Sequence, residues 1–157
     1  QTLVPSATVI ILRQEACTSD APWTLVCHQR TDNGWWALPG GRQEIGESIL
    51  ECARREAYEE TGLRVEHLAL VNVDSDPQAH AIVAYPDGNL VQYCNLTFIG
   101  FSLSETLRMS EESTQLQWCR TDTLPEPFLP AACWRIQQAL ALHALSPSHR
   151  LHPLPVR

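Results

Sequence analysis

No lysine occurs anywhere in the 157 residues: the 11 basic side chains are all arginine, and the formal net charge is −7. Such a chain has no electrostatic footprint for gripping a long nucleic acid or an anionic membrane surface. It also lacks an apolar run of about 18 residues, the minimum for a spanning helix, and a basic-apolar-small leader at its start. Gln1 is not an initiator methionine, so a few leading residues are expected upstream. No C-x-x-C pair and no Cys/His group with zinc-ligand spacing is present. There is no internal repeat and no composition break, so residues 1–157 are expected to form one domain with a loose tail over 146–157, which holds three prolines.

What is present is concentrated in Gly41 to Leu63, GRQEIGESILECARREAYEETGL. Ser48 is a good N-cap and Glu51, three residues on, completes a capping box; Gly62 is well placed to end the helix. At about 100° per residue, Ile49, Leu50, Ala53 and Ala57 share an arc expected to face the core. Glu56, Glu59 and Glu60 stand at i, i+3 and i+4, on a face that overlaps that arc. Three carboxylates at the margin of a core repel each other and lose hydration, at several kcal/mol per uncompensated ion. A divalent cation resolves this, and an all-oxygen site suits Mg2+ or Mn2+. The alternative is an ordinary amphipathic helix with an acidic edge and an Arg–Glu salt bridge.

Fixed offsets favour the first reading. Gly41 is followed by Glu47 after five residues, by Arg55-Glu56 after seven more, and then by Ala57, Glu59-Glu60, Gly62 and Leu63. The stretch resembles the Nudix box at every fixed position. Looser similarity extends from Trp36-Ala37-Leu38-Pro39-Gly40 through the strands that follow. The resemblance implies an α+β fold, an αβα sandwich with a mixed sheet between helical layers. It also implies hydrolysis of a nucleoside diphosphate linked to some group X, so the expected partner is a small nucleotide and not a nucleic-acid polymer or a membrane.

The metal set expected on this basis is Glu56, Glu59 and Glu60, the Gly40 carbonyl, and a loop acid ahead of a Trp-bearing strand, Glu112 with Glu111 as alternative. Glu112 or Glu60 would serve as base. Arg55 is expected to orient carboxylates, pairing with Glu59 one turn on or with Glu47 in the preceding loop. Arg30, Trp35 and Tyr85 are candidate substrate contacts.

Taken in order, strands are expected at 8–12, 23–30, 63–74, 79–85, 90–103 and 114–120, with a second helix over 131–144 that partly buries Trp134, Ile136, Leu140 and Leu142. On the long strand, Tyr93, Asn95 and Thr97 share one face. The six cysteines sit largely inside these elements like small apolar residues, which predicts free thiols and a cytoplasmic location. A homodimer is compatible with the sequence. Nucleoside triphosphates, ADP-ribose and nucleotide sugars all stay open as substrates; Pro77 only faintly resembles ADP-ribose-type members. Two other activities compete: a nucleotide-sensing module that does not hydrolyse, and an isoprenoid diphosphate isomerase, for which no catalytic cysteine can be assigned.

Overall fold

A computed structural model describes residues 2–13, 23–78 and 82–145. Its centre is the parallel pair of β1 (Thr2–Arg13) and β7 (Leu90–Ser102), in register from Thr2 opposite Val91 to Leu12 opposite Phe101. On the β1 side, β2 (Thr24–Arg30) pairs antiparallel, flanked by β3 (Trp36–Ala37) and β8 (Ser113–Arg120). On the β7 side lie β5 (Val65–Asp74) and β6 (Ile82–Ala84), both antiparallel to it, while the short β4 (Gly40–Arg42) pairs with β1. Two helices, α1 (Ile49–Thr61) and α2 (Pro130–Leu145), cover opposite faces.

The strand expected over 8–12 is the second half of β1. Its run is apolar on both sides because both sides are buried: Ile10 and Leu12 pack with Ala132, Ile136 and Ala139 of α2, and Ala7, Val9 and Ile11 with Cys52, Ala53 and Ala57 of α1. Near its middle the strand carries Ser6 and Thr8, which would be costly to bury alone. Both hydroxyls donate to Asn95 Oδ1, at 3.0 and 2.9 Å. The mixed sheet between two helices is the αβα arrangement expected.

Helix α1 begins as its sequence dictates, with both halves of the Ser48–Glu51 capping box formed, and ends on Gly62 in the left-handed region at φ 77°. Its buried arc is Cys52, Ala53, Ala57 and Glu60, so Leu50, expected inside, is 39% exposed. Burying Glu60 turns the helix until Leu50 lies at the edge of the arc. In α2, Ile136 is buried and Leu140 packs against the core, but Leu142 faces solvent. The expected strand 79–85 is described only from Ile82, and the tail from 146 lies outside the described residues.

The expectation of six free thiols is corrected. Cys27 and Cys119 form a disulfide; Cys52, Cys94 and Cys133 are free, and Cys17 lies outside the described residues. Leu25 opposes Cys119 and Cys27 opposes Gln117, so the two cysteines are diagonal neighbours on one sheet face with Cα atoms 6.5 Å apart. A separation of 92 residues hides that adjacency in the sequence. Digestion without reductant is expected to yield a Cys27 peptide cross-linked to a Cys119 peptide. Recovery of both as singly alkylated thiols contradicts the assignment.

Candidate active site

The loop from Pro39 to Ser48 and helix α1 form one unit, tied together by Arg55. Its Nε and Nη2 grip Glu47 at 3.0 and 2.7 Å, its Nη1 reaches Glu56 at 2.8 Å and Glu59 at 3.2 Å, and its Nη2 also donates to the Arg42 carbonyl at 3.0 Å. Both partners anticipated for Arg55 are therefore used at once. Its grip on Glu47 pulls that carboxyl down to about 2. Gly41 is a glycine for a packing reason, since a Cβ there would run into the Glu56 carboxylate. Glu56 is raised by burial, with Arg55 opposing.

Glu60 is the deepest of the acids, 5% exposed, and its Oε2 accepts the Gly40 N–H at 2.9 Å. Burial first, then the nearby charges of Glu56 and Glu112, push its carboxyl up to about 8. His28 Nε2 is 3.8 Å from Glu60, while its Nδ1 is 2.7 Å from Ser113 Oγ. Burial and then Arg30 lower the His28 pKa. A neutral imidazole beside a largely protonated carboxyl describes this contact near pH 7.

Glu60 and His28 open onto a cleft of about 740 Å3 lined also by Gly40, Glu112, Arg30 and Tyr85; Glu56 and Glu59 are not among its lining residues. Thr8 and Asn95 also line it, with Leu129 just ahead of α2 and Ala132 and Arg135 from its first turns. Trp35 is not part of it. It borders a separate recess with Leu124, Pro125 and Phe128, just ahead of the short strand on which Trp36 takes the core position.

A family model described as the NUDIX domain matches residues 2–139. The chain belongs to the Nudix hydrolase family. A MutT-like protein of Streptomyces ambofaciens is 34% identical over 128 residues, 82% of this chain and 74% of that one. The 8-oxo-dGDP phosphatase NUDT18 of Homo sapiens is 30% identical over 132 residues, but these cover 80% of this chain and only 35% of that protein, so the chain spans about a third of its length. Among solved structures, the NUDIX domain of Shewanella oneidensis NrtR complexed with ADP ribose superposes with a TM-score of 0.71 at 15% identity, covering 90% of this chain and 89% of that one, which is likeness of fold alone.

Nudix hydrolases generally need a divalent metal. The donor chemistry here fits one: oxygen ligands only, a carboxylate cradled where Gly41 leaves room, and the buried Glu60 carboxyl, whose ionised form an adjacent cation would stabilise. Among the described residues, though, no three acidic, His or Cys side chains already converge on one point. Arg55 Nη1 stands between Glu56 and Glu59. A cation would take both carboxylates from Arg55, which keeps its two-pronged hold on Glu47. The sequence reading missed Arg42 and Tyr93 as cleft residues. The one sequence signal for Tyr93 is the strand face it shares with Asn95.

Proposed function

We propose that this Nudix hydrolase cleaves a phosphoanhydride bond in a nucleoside diphosphate linked to X, through attack by water. A bond forms between the water oxygen and phosphorus, and the anhydride P–O bond breaks. The products are a nucleoside monophosphate and either pyrophosphate or phospho-X. A divalent cation, Mg2+ or Mn2+, held by Glu56, Glu59 and Glu60 with the Gly40 carbonyl and Glu112, would screen phosphate charge and make water a better nucleophile. Glu112, or Glu60 in the ionised form that a bound cation would favour, accepts the proton of the attacking water. Arg55 and Glu47 act on the carboxylates and not on the substrate, fixing the loop against the helix. Arg30 and Tyr85 line the space available to the nucleotide.

The observation that carries this reading is Glu60: a carboxyl buried at the base of an open cleft, with Glu56 and Glu112 close enough to raise its pKa further. A panel of nucleoside triphosphates, ADP-ribose and nucleotide sugars, assayed with Mg2+, Mn2+ or chelator and resolved by chromatography, tests it. Metal-dependent appearance of a nucleoside monophosphate is expected. Saturable nucleotide binding without turnover would mark the sensing module instead, and turnover in chelator would remove the metal from the account. A cytoplasmic location rests on the free thiols of Cys52, Cys94 and Cys133, and the Cys27–Cys119 disulfide counts against it.

A further inference from the structure

One side of the cleft is closed by three residues that take no part in holding the acids. Arg42 Nε donates to Tyr93 Oη at 2.9 Å and Arg42 Nη2 to Tyr85 Oη at 2.8 Å, while the two phenol oxygens are 2.6 Å apart. The guanidinium lies 5.5 Å from each ring centroid. Three separate parts of the chain supply this cluster: β4, the turn after β6, and β7. Arg42 is also fixed through its backbone, since its carbonyl accepts from Arg55 at 3.0 Å. Its neighbour Gly41 lies against Glu56, so the guanidinium is anchored one residue from the acidic site.

Three arginines line the cleft, and their charges are not equally available. Arg30 is forked onto Asp32 through Nε and Nη2. Arg135 faces Asp74 at 3.7 Å. Arg42 has no carboxylate partner among the described residues; its partners are two neutral phenols, which leave its charge uncompensated in a protein of net charge −7. The hydrogen count points the same way. A guanidinium carries five N–H groups, and the two tyrosines take one from Nε and one from Nη2. Only one of the two phenol protons is used between the tyrosines, so the other, together with the Nη1 hydrogens, is left to donate. A site rich in donors around a fixed positive charge matches a group that only accepts, such as a phosphoryl group.

We propose that Arg42, held in place by Tyr85 and Tyr93, binds a phosphate of the X group and so selects substrates in which X is itself a phosphate, the nucleoside triphosphates, over those in which X is a neutral sugar. This rests on the hydrolase reading above. The apolar lining at Ala37, Leu38 and Ala132, which are buried, and at half-buried Leu129 then receives the nucleoside, and the exposed cationic side receives the phosphate end. Tyr85 and Tyr93 are positioning residues: they hold the guanidinium rather than the charge.

ATP and ADP-ribose share the adenosine half, so comparing them isolates X. In steady-state kinetics, Arg42→Gln is expected to lower the ratio of kcat/KM for ATP to that for ADP-ribose by at least about tenfold, mainly through KM for ATP. Arg42→Lys keeps the charge and recovers part of the ratio, and Tyr93→Phe lowers it less than Arg42→Gln does. Calorimetric titration with inorganic pyrophosphate is expected to show the same order of weakening. A ratio left unchanged by Arg42→Gln, with equal losses on both nucleotides, overturns the proposal, as does unaltered pyrophosphate affinity. If the unsubstituted protein turns over no member of the nucleotide panel above, it is the hydrolase reading that has failed, and the pyrophosphate titration alone then decides whether Arg42 is a phosphoryl site.

Discussion

In chelator at about pH 8, Glu60→Gln is expected to melt at a higher temperature than the parent protein, although its turnover with Mg2+ falls by orders of magnitude. Glu60 has a folded-state pKa raised to about 8 from an ordinary value of 4.5. The folded chain therefore binds this proton more tightly than the unfolded one. The resulting stability is fully present below about pH 4.5 and is lost as pH rises through about 8. The amount at stake is on the order of a few kcal/mol, and each kcal/mol moves the melting point of a chain this size by roughly 2–4 °C. Glutamine can still accept the Gly40 N–H and carries no charge to desolvate. A plot of melting temperature against pH in chelator should fall for the parent between about pH 5 and pH 8 and stay nearly flat for the variant. A variant that melts below the parent at pH 8 with the same slope contradicts the burial argument.

Five residues earlier on the same helix, the expected sign reverses. Arg55→Ala should destabilise the fold, because it removes the shared partner of three carboxylates. Arg55 is 23% exposed at its side chain, Glu47 15% and Glu56 13%, while Glu59 is 56% exposed, so solvent screens part of what is left. Without the guanidinium, Glu47 loses the partner that holds its pKa near 2, and Glu56 and Glu59 face each other with no counter-charge. Arg55→Lys should fall between the two, because an ammonium cannot fork onto Glu47 while bridging to Glu56. Chemical denaturation in chelator measures both. An Arg55→Ala protein as stable as the parent would mean that the carboxylates do not need this partner. Opposite shifts from Glu60 and Arg55 would separate a functional acid from its scaffold within two turns of one helix.

The parts of this architecture that depend on short sequence separations could be read from the chain. The caps of α1, its acidic face and the Arg55–Glu59 pair all lie between Ser48 and Gly62, where helical geometry fixes who meets whom. Sheet pairings across the chain could not be read in that way. Ser6 and Thr8 look like the end of an apolar strand until Asn95, 89 and 87 residues away, supplies their acceptor. The Arg42 cluster spans 43 and 51 residues, and the Cys27–Cys119 bond spans 92. Leu50, expected inside, lies outside for a different reason: it sits beside the arc of Cys52, Ala53, Ala57 and Glu60, which takes the inward position. Pattern alone does not rank such neighbours.

The central claim is that the α1 acids form a cation site serving the hydrolysis, and it can be tested without turnover by titrating Mn2+ and following free ion by electron paramagnetic resonance. The parent is expected to take up Mn2+ stoichiometrically, with Glu56→Gln and Glu60→Gln each weakening uptake by at least about tenfold. Undiminished Mn2+ uptake by both variants would show that the clustered carboxylates of α1 are a salt-bridge network around Arg55 and not a metal site.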